Sequence, residues 1–230
     1  MVKFTYRKKS RSSRKPAARK RYVSKIHKKM PTLLGNYQIT KLRYAIEFNQ
    51  TISSTSGSVG YRIFNANSMF DPRTASGGHQ PRGFDQLMSM FDHYCVLSSK
   101  IVVRCMGNTT VSAMKQTCMS LVLNDTSVPI SSHSDIAESR RVKIAYLSPQ
   151  RDQCSLSMNY STSNFFNRGS KLSDLLADKE LSGSATANPA EMAHYHINCQ
   201  CVAGQDQTVE FAGYIDFVVC FHEPKLCPIS

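Results

Sequence analysis

Four residues within eight, His194, His196, Cys199 and Cys201, form an HxHxxCxC cluster whose imidazoles and thiols are the ligand types that zinc takes. On an extended strand, however, side chains alternate between faces. His194 and His196 then share one face, Cys199 and Cys201 project from the other, and all four converge only across a bulge. The expected arrangement is two core thiols and two histidines facing a neighbour or solvent, with no metal. His93 lies two residues before Cys95, a pairing that raises nucleophilic catalysis, but no third group orients the histidine and no oxyanion hole is legible. Asp135 and Glu138 sit in a Ser-rich stretch without the ordered ligand series of a Ca²⁺ loop and are expected in a solvated loop. P-loop, dinucleotide-binding and GxSxG spacings are absent. No catalytic residue, cofactor or metal is assigned, and the chain is not expected to be an enzyme.

The remaining chemistry is electrostatic. Lys3, Arg7, Lys8, Lys9, Arg11, Arg14, Lys15, Arg19, Lys20, Arg21, Lys25, Lys28 and Lys29 put 13 cations into the first 29 residues, and the first acid is Glu47. That stretch carries the whole formal charge of +13, because the rest of the chain holds 16 Lys plus Arg against 16 Asp plus Glu. Like charges interspersed with Ser, Ala and Pro16 cannot bury enough apolar surface to order themselves, so residues 1–36 are expected to be a disordered arm. Its natural partner is a polyanion, since each neutralised phosphate releases counterions without any base-specific geometry. Phe4, Tyr6 and Tyr22 are aromatics of the kind that stack on unpaired bases, which favours a single strand. The clusters Arg7-Lys8-Lys9, Arg14-Lys15 and Arg19-Lys20-Arg21 also resemble nuclear-localisation signals.

The body that follows, residues 37–230, is long enough for one domain with a sizeable core. Leu42, Tyr44, Ile46 and Phe48 alternate with Lys41, Arg43, Ala45 and Glu47, the period of a half-buried strand. Segments rich in Val, Ile, Tyr, Phe and Thr follow at 59–66, 96–106, 117–123, 141–147, 154–160, 193–203 and 208–222, with Gly, Ser, Asn, Asp and Pro clusters between them. Eight strands point to an all-β sandwich or barrel. Phe84, Leu87, Met88 and Phe91 instead recur at i, i+3, i+4 and i+7, a short amphipathic helix with Asp85 in its first turn. A weaker helical patch covers 171–181, with Leu172, Leu175 and Leu176 on one face. The eight cysteines are expected as reduced, mostly buried apolar residues. No run of about 18 apolar residues spans a membrane, and no secretory leader is evident at the N-terminus, which suggests cytosol or nucleus.

The stretch from Asp71 to Ile101 contains Gly78-His79-Gln80-Pro81, Phe84-Asp85-Gln86, Tyr94 and Ser99-Lys100-Ile101. It resembles the region between the third and fourth strands in capsid proteins of circular, Rep-encoding single-stranded DNA viruses (circovirus-like). The overall layout is also similar to coat proteins of small tombus-like and satellite RNA viruses. The resemblance implies a single eight-stranded jelly roll with a short helix between its third and fourth strands, and Ser99-Lys100-Ile101 opening a strand. It further implies self-assembly of about 60 copies into an icosahedral T=1 shell, a single-stranded genome, DNA favoured, held by the arm, and a virion location with assembly in the host nucleus through nuclear import factors. A coat protein of a small RNA virus, or a cellular β-barrel nucleic-acid-binding protein with a basic tail, are the rival readings. A barrel reader needs a basic, aromatic-bearing face on the body itself.

Overall fold

Alternation along the first body strand is visible at once in its burial. Tyr44 and Ile46 are buried, Leu42 and Phe48 pack against them, and Lys41, Arg43, Ala45 and Glu47 are exposed. The strand, β1 (Tyr37–Ile52), is twice as long as its amphipathic stretch, because all 16 of its residues pair with the last strand, from Tyr37 opposite His222 to Ile52 opposite Gln207. Its polar N-terminal end is held by the hydrogen-bonded ladder rather than by burial, whereas Ile52 at the other end is buried in the core. The computed structural model describes residues 35–52, 59–75, 78–107, 116–148, 150–201 and 207–225. Gly35 and Asn36 are exposed and irregular, and the rest of the arm, with every cation assigned to it and Phe4, Tyr6 and Tyr22, lies outside the described residues, as does Cys227.

Eight longer strands and one of two residues follow the expected order. These are β1, β2 (Val59–Asn65), β3 (Phe91–Gly107), β4 (Thr117–Asn124), β5 (Val142–Leu147), β6 (Gln153–Ser161), β7 (Ser182–Gly183), β8 (His194–Cys201) and β9 (Gln207–Pro224). They form two antiparallel sheets in the orders β1-β9-β3-β6 and β2-β8-β4-β5, with the short β7 paired to β3 beyond the end of β6. The chain changes sheet at most connections, and only β4 to β5 and β6 to β7 stay within one. This is the eight-stranded jelly roll. Between the sheets lies one core, in which Phe84, Phe91, Ile101, Met119, Leu121, Tyr195, Phe217 and Phe221 are all but fully buried. Each such side chain contributes about 1.5–3 kcal/mol of transfer free energy.

Three expectations need correction. The helix α1 (Phe84–Met88) lies between the second and third strands, one strand earlier than the family layout implies, and it ends at Ser89. Phe91 is the first residue of β3, because Phe91 and the residues after it pair with the C-terminal end of β9, and that ladder displaces another helical turn. Ser99-Lys100-Ile101 accordingly sits mid-strand. A bulge between Val96 and Ser98 shifts the inward phase from Tyr94 and Val96 to Ile101, Val103 and Cys105, so no single period of two runs through β3.

The 171–181 patch is two pieces, α4 (Leu172–Ala177) and a 3-10 turn (Lys179–Leu181), separated by extended Asp178, whose carboxylate accepts from the Glu180 amide. Leu175 and Leu181 bury Cys95 beneath them on the outer face of β3. Two further short helices, α2 (His133–Glu138) and α3 (Thr162–Phe165), had no periodic signal of their own.

Candidate functional site

Strand β8 keeps an unbroken register against both β2 and β4, so its side chains alternate strictly. Cys199 enters the core and Cys201 packs against it, while His194 and His196 occupy the opposite face. Of the two expected alternatives, the histidines face neighbouring segments and not solvent. Both are buried, His194 Nδ1 donating to Asn65 Oδ1 and His196 Nε2 to the Thr126 carbonyl, each at 2.8 Å. Burial lowers both pKa values, that of His194 to about 4, so the neutral rings act as fixed donors that tie the segment after β4 and the end of β2 to the sheet. Burial also pushes the Cys199 thiol up to about 12. The four groups cannot share an ion, and among the described residues no three His, Cys, Asp or Glu side chains are grouped to hold a metal.

His93 and Cys95 are likewise uncoupled. His93 Nε2 lies 3.6 Å from Glu223 Oε2, with its ring 5.7 Å from that of His222, whereas the Cys95 thiol points at the Leu175 carbonyl, 4.0 Å away. Burial raises the Cys95 thiol to about 12, the reverse of what a nucleophile requires. Asp135 and Glu138 stand on α2 rather than in a loop. Ser132 caps that helix by accepting from the Asp135 amide at 3.1 Å, and the Ser-x-x-Asp spacing was the signal for it. Both carboxylates are exposed. Six of the seven described cysteines are free, buried thiols, and Cys201 is half-buried.

Many of the body's charges are consumed within it. Arg43 grips Asp216 through Nε and Nη2 at 2.6 and 2.9 Å while Lys41 approaches the same carboxylate at 3.0 Å, and the Arg43 bonds hold that carboxyl below the usual range. The Arg43 guanidinium also lies 3.9 Å above the Tyr214 ring. Arg168 gathers Asp178, Glu180 and Glu191 at 3.0–3.5 Å, fastening α4 and the 3-10 turn to the segment that enters β8.

The Gly78-His79-Gln80-Pro81 stretch leads into α1. Gln80 Nε2 donates to the Phe70 carbonyl at 3.1 Å, and the Pro81 carbonyl accepts from the Phe84 amide at 3.1 Å. Gly83 takes φ +89°, a left-handed value that suits glycine, just before the helix. His79 stacks on Tyr44 of β1, with centroids 4.4 Å apart and planes 19° apart. Nothing in the sequence paired these two rings, which are 35 positions apart.

No family model matches the chain, and no curated protein sequence matches it. Solved structures do. The mud crab tombus-like virus particle, seen by cryo-electron microscopy, is matched at 11% identity and a TM-score of 0.47, over 85% of this chain and 94% of that one. Turnip yellow mosaic virus is matched at 10% identity and 0.45, over 84% and 98%. A BFDV capsid protein in a 60-mer is matched at 12% identity and 0.45, over 86% and 100%. These are similarities of fold outline, and the jelly-roll assignment rests on strand order and register. Among the described residues no helix is long and apolar enough to cross a membrane.

Proposed function

We propose that this chain is a viral coat subunit that self-assembles into a small icosahedral shell and packages a single-stranded genome through its N-terminal arm. One observation carries the reading: a jelly roll without an assembled catalytic or metal centre among the described residues is joined to a segment that holds the entire net charge of +13 within 29 residues. A segment of that charge density neutralises phosphate, and a body of balanced charge does not itself repel its copies. Tyr37, Ile39, Tyr61, Met90, Met106, Val128 and Tyr146 are large apolar side chains left exposed at separate places on the body.

In a T=1 shell of about 60 subunits the arms supply on the order of 780 positive charges, which neutralise roughly 40 to 80 per cent of a genome of one to two thousand nucleotides. DNA is the favoured genome, with assembly in the host nucleus after import directed by the Arg7 to Arg21 clusters. The test is to express the full chain and a variant lacking residues 1–29, image both by electron microscopy, and digest the extracted nucleic acid with DNase and RNase. Closed particles of uniform diameter whose nucleic acid disappears with the arm support the reading. Absence of closed particles from the full chain, or unchanged packaging by the truncated one, overturns it, and RNase-sensitive contents replace a DNA genome with an RNA genome.

A further inference from the structure

A cavity of about 320 Å³ opens between β1 and the segment after β2, walled by Tyr44, Phe48, Phe64 and the stacked His79, with Arg73 on one side. A second, of about 210 Å³, lies beside exposed Tyr61 and Arg62, and Arg73 lines it as well. Two aromatic-walled cavities thus flank a pair of guanidinium groups. Arg62 Nε and Arg73 Nε are both buried, and neither has a hydrogen-bond partner among the described residues. An unpaired buried donor is costly, and a charged one more so, unless an acceptor arrives. Nearby charges do not remove the need. Glu47 lines the first cavity and Asp71 accepts from the Arg73 amide, but neither carboxylate bonds either Nε. Arg62 also lies 5.7 Å over the Phe48 ring, which orients it along the wall rather than into solvent.

The exposed rings of His79 and Tyr61, separated by two guanidiniums whose Nε groups lack acceptors, match the alternation of base and phosphate along an unpaired strand. A compact anion would satisfy the arginines and leave the rings idle. A lone apolar molecule would do the opposite. Glu47 supplies an acceptor for a base N–H at the same wall. Gly78 keeps this wall thin, since a Cβ there would come within 3.1 Å of the Arg73 Cβ and 3.6 Å of the Tyr44 hydroxyl.

We infer that the cavities on either side of Arg73 hold two consecutive nucleotides of the packaged single strand, one base against the outer face of His79, the next against Tyr61, and the phosphate between them on Arg62 and Arg73. This rests on the packaging reading and adds to it a contact made by the body. The body then carries a local basic, aromatic face even though its overall charge is balanced.

Photocrosslinking tests it. Full-length protein is loaded with a single strand in which thymine is replaced by 5-iodouracil, irradiated, digested, and its crosslinked peptides mapped by mass spectrometry. Crosslinks are expected at His79 or Tyr61 in addition to the arm. In Arg73→Gln those body crosslinks should fall at least fivefold with arm crosslinks unchanged. His79→Ala, at an exposed position that leaves the core intact, should remove the crosslink at that position and lower the yield at Tyr61. Crosslinks confined to the arm, or body crosslinks indifferent to both substitutions, overturn the inference while sparing the packaging reading. No crosslink anywhere on the protein overturns both.

Discussion

Gly183 lies flat against the ring of Tyr94: a Cβ placed on the glycine would stand 2.5 Å from the tyrosine Cζ. The two residues face each other across the β3–β7 pairing. The ring is fully buried, and its hydroxyl accepts from the amides of Met69 and Phe70 at 3.3 Å each and lies 3.1 Å from Ser68 Oγ. One side chain therefore fastens the segment after β2 to β3 and requires a glycine on the strand beside it.

Gly183→Ala should accordingly destabilise the body by about 1–3 kcal/mol, because a rigid buried ring cannot retreat from the new methyl. Tyr94→Phe should cost about 1–3 kcal/mol by a different route, the loss of an acceptor for two buried amides. Urea midpoints for both variants measure this. Wild-type stability in Gly183→Ala would mean that the ring and the glycine are not in contact.

Within α1, Phe84 and Met88 are buried and Leu87 only partly so. Met88→Ala should cost about 2–5 kcal/mol and Leu87→Ala clearly less. Ser89→Ala should cost least of the three, since Ser89 is exposed and its hydroxyl only donates to the Gln86 carbonyl. An inverted order in thermal or chemical denaturation would show that a different face of the helix meets the core.

The buried histidines make folding sensitive to acid. His194 is shifted down from 6.5 to about 4, so the unfolded chain takes up its proton first. A group depressed in this way contributes stability that is complete above pH 6.5 and is lost as the pH falls from there toward 4, on the order of 3 kcal/mol for one such group. Unfolding free energies between pH 7 and 4.5 should show the decline, and His194→Gln should flatten it. An equally steep decline in that variant would assign the acid sensitivity to other groups.

A peptide spanning residues 1–29 should bind single strands with an affinity that falls log-linearly with salt. Engagement of half its 13 cations predicts a slope of roughly −4 to −5, from about −0.7 per phosphate. Scrambling the oligonucleotide should matter far less than a moderate rise in salt. A particular hairpin bound much more tightly than its scrambled controls at fixed salt would replace this with a dedicated packaging signal.

What the sequence determined by itself was whatever depends on near neighbours in the chain. Leu42 to Phe48 announced a strand because alternate side chains of one segment already separate core from solvent. His194 and His196 could be parted from Cys199 and Cys201 for the same reason, and the arm's charge needed only counting. Tertiary structure decided the rest, because it arises between distant residues. Pairing with the end of β9 turned Phe91 from a helix position into the start of β3, and the bulge after Val96 shifted the inward phase where no local period marked it. His194 and His196 are buried because Asn65 and Thr126 come to them from β2 and from beyond β4. The stack of His79 on Tyr44 beside Arg73 exists only because β1 and the segment after β2 lie along the same margin of the two sheets. Amphipathic period is a property of one strand, whereas an unpaired guanidinium beside an aromatic wall is a property of two segments brought together by folding.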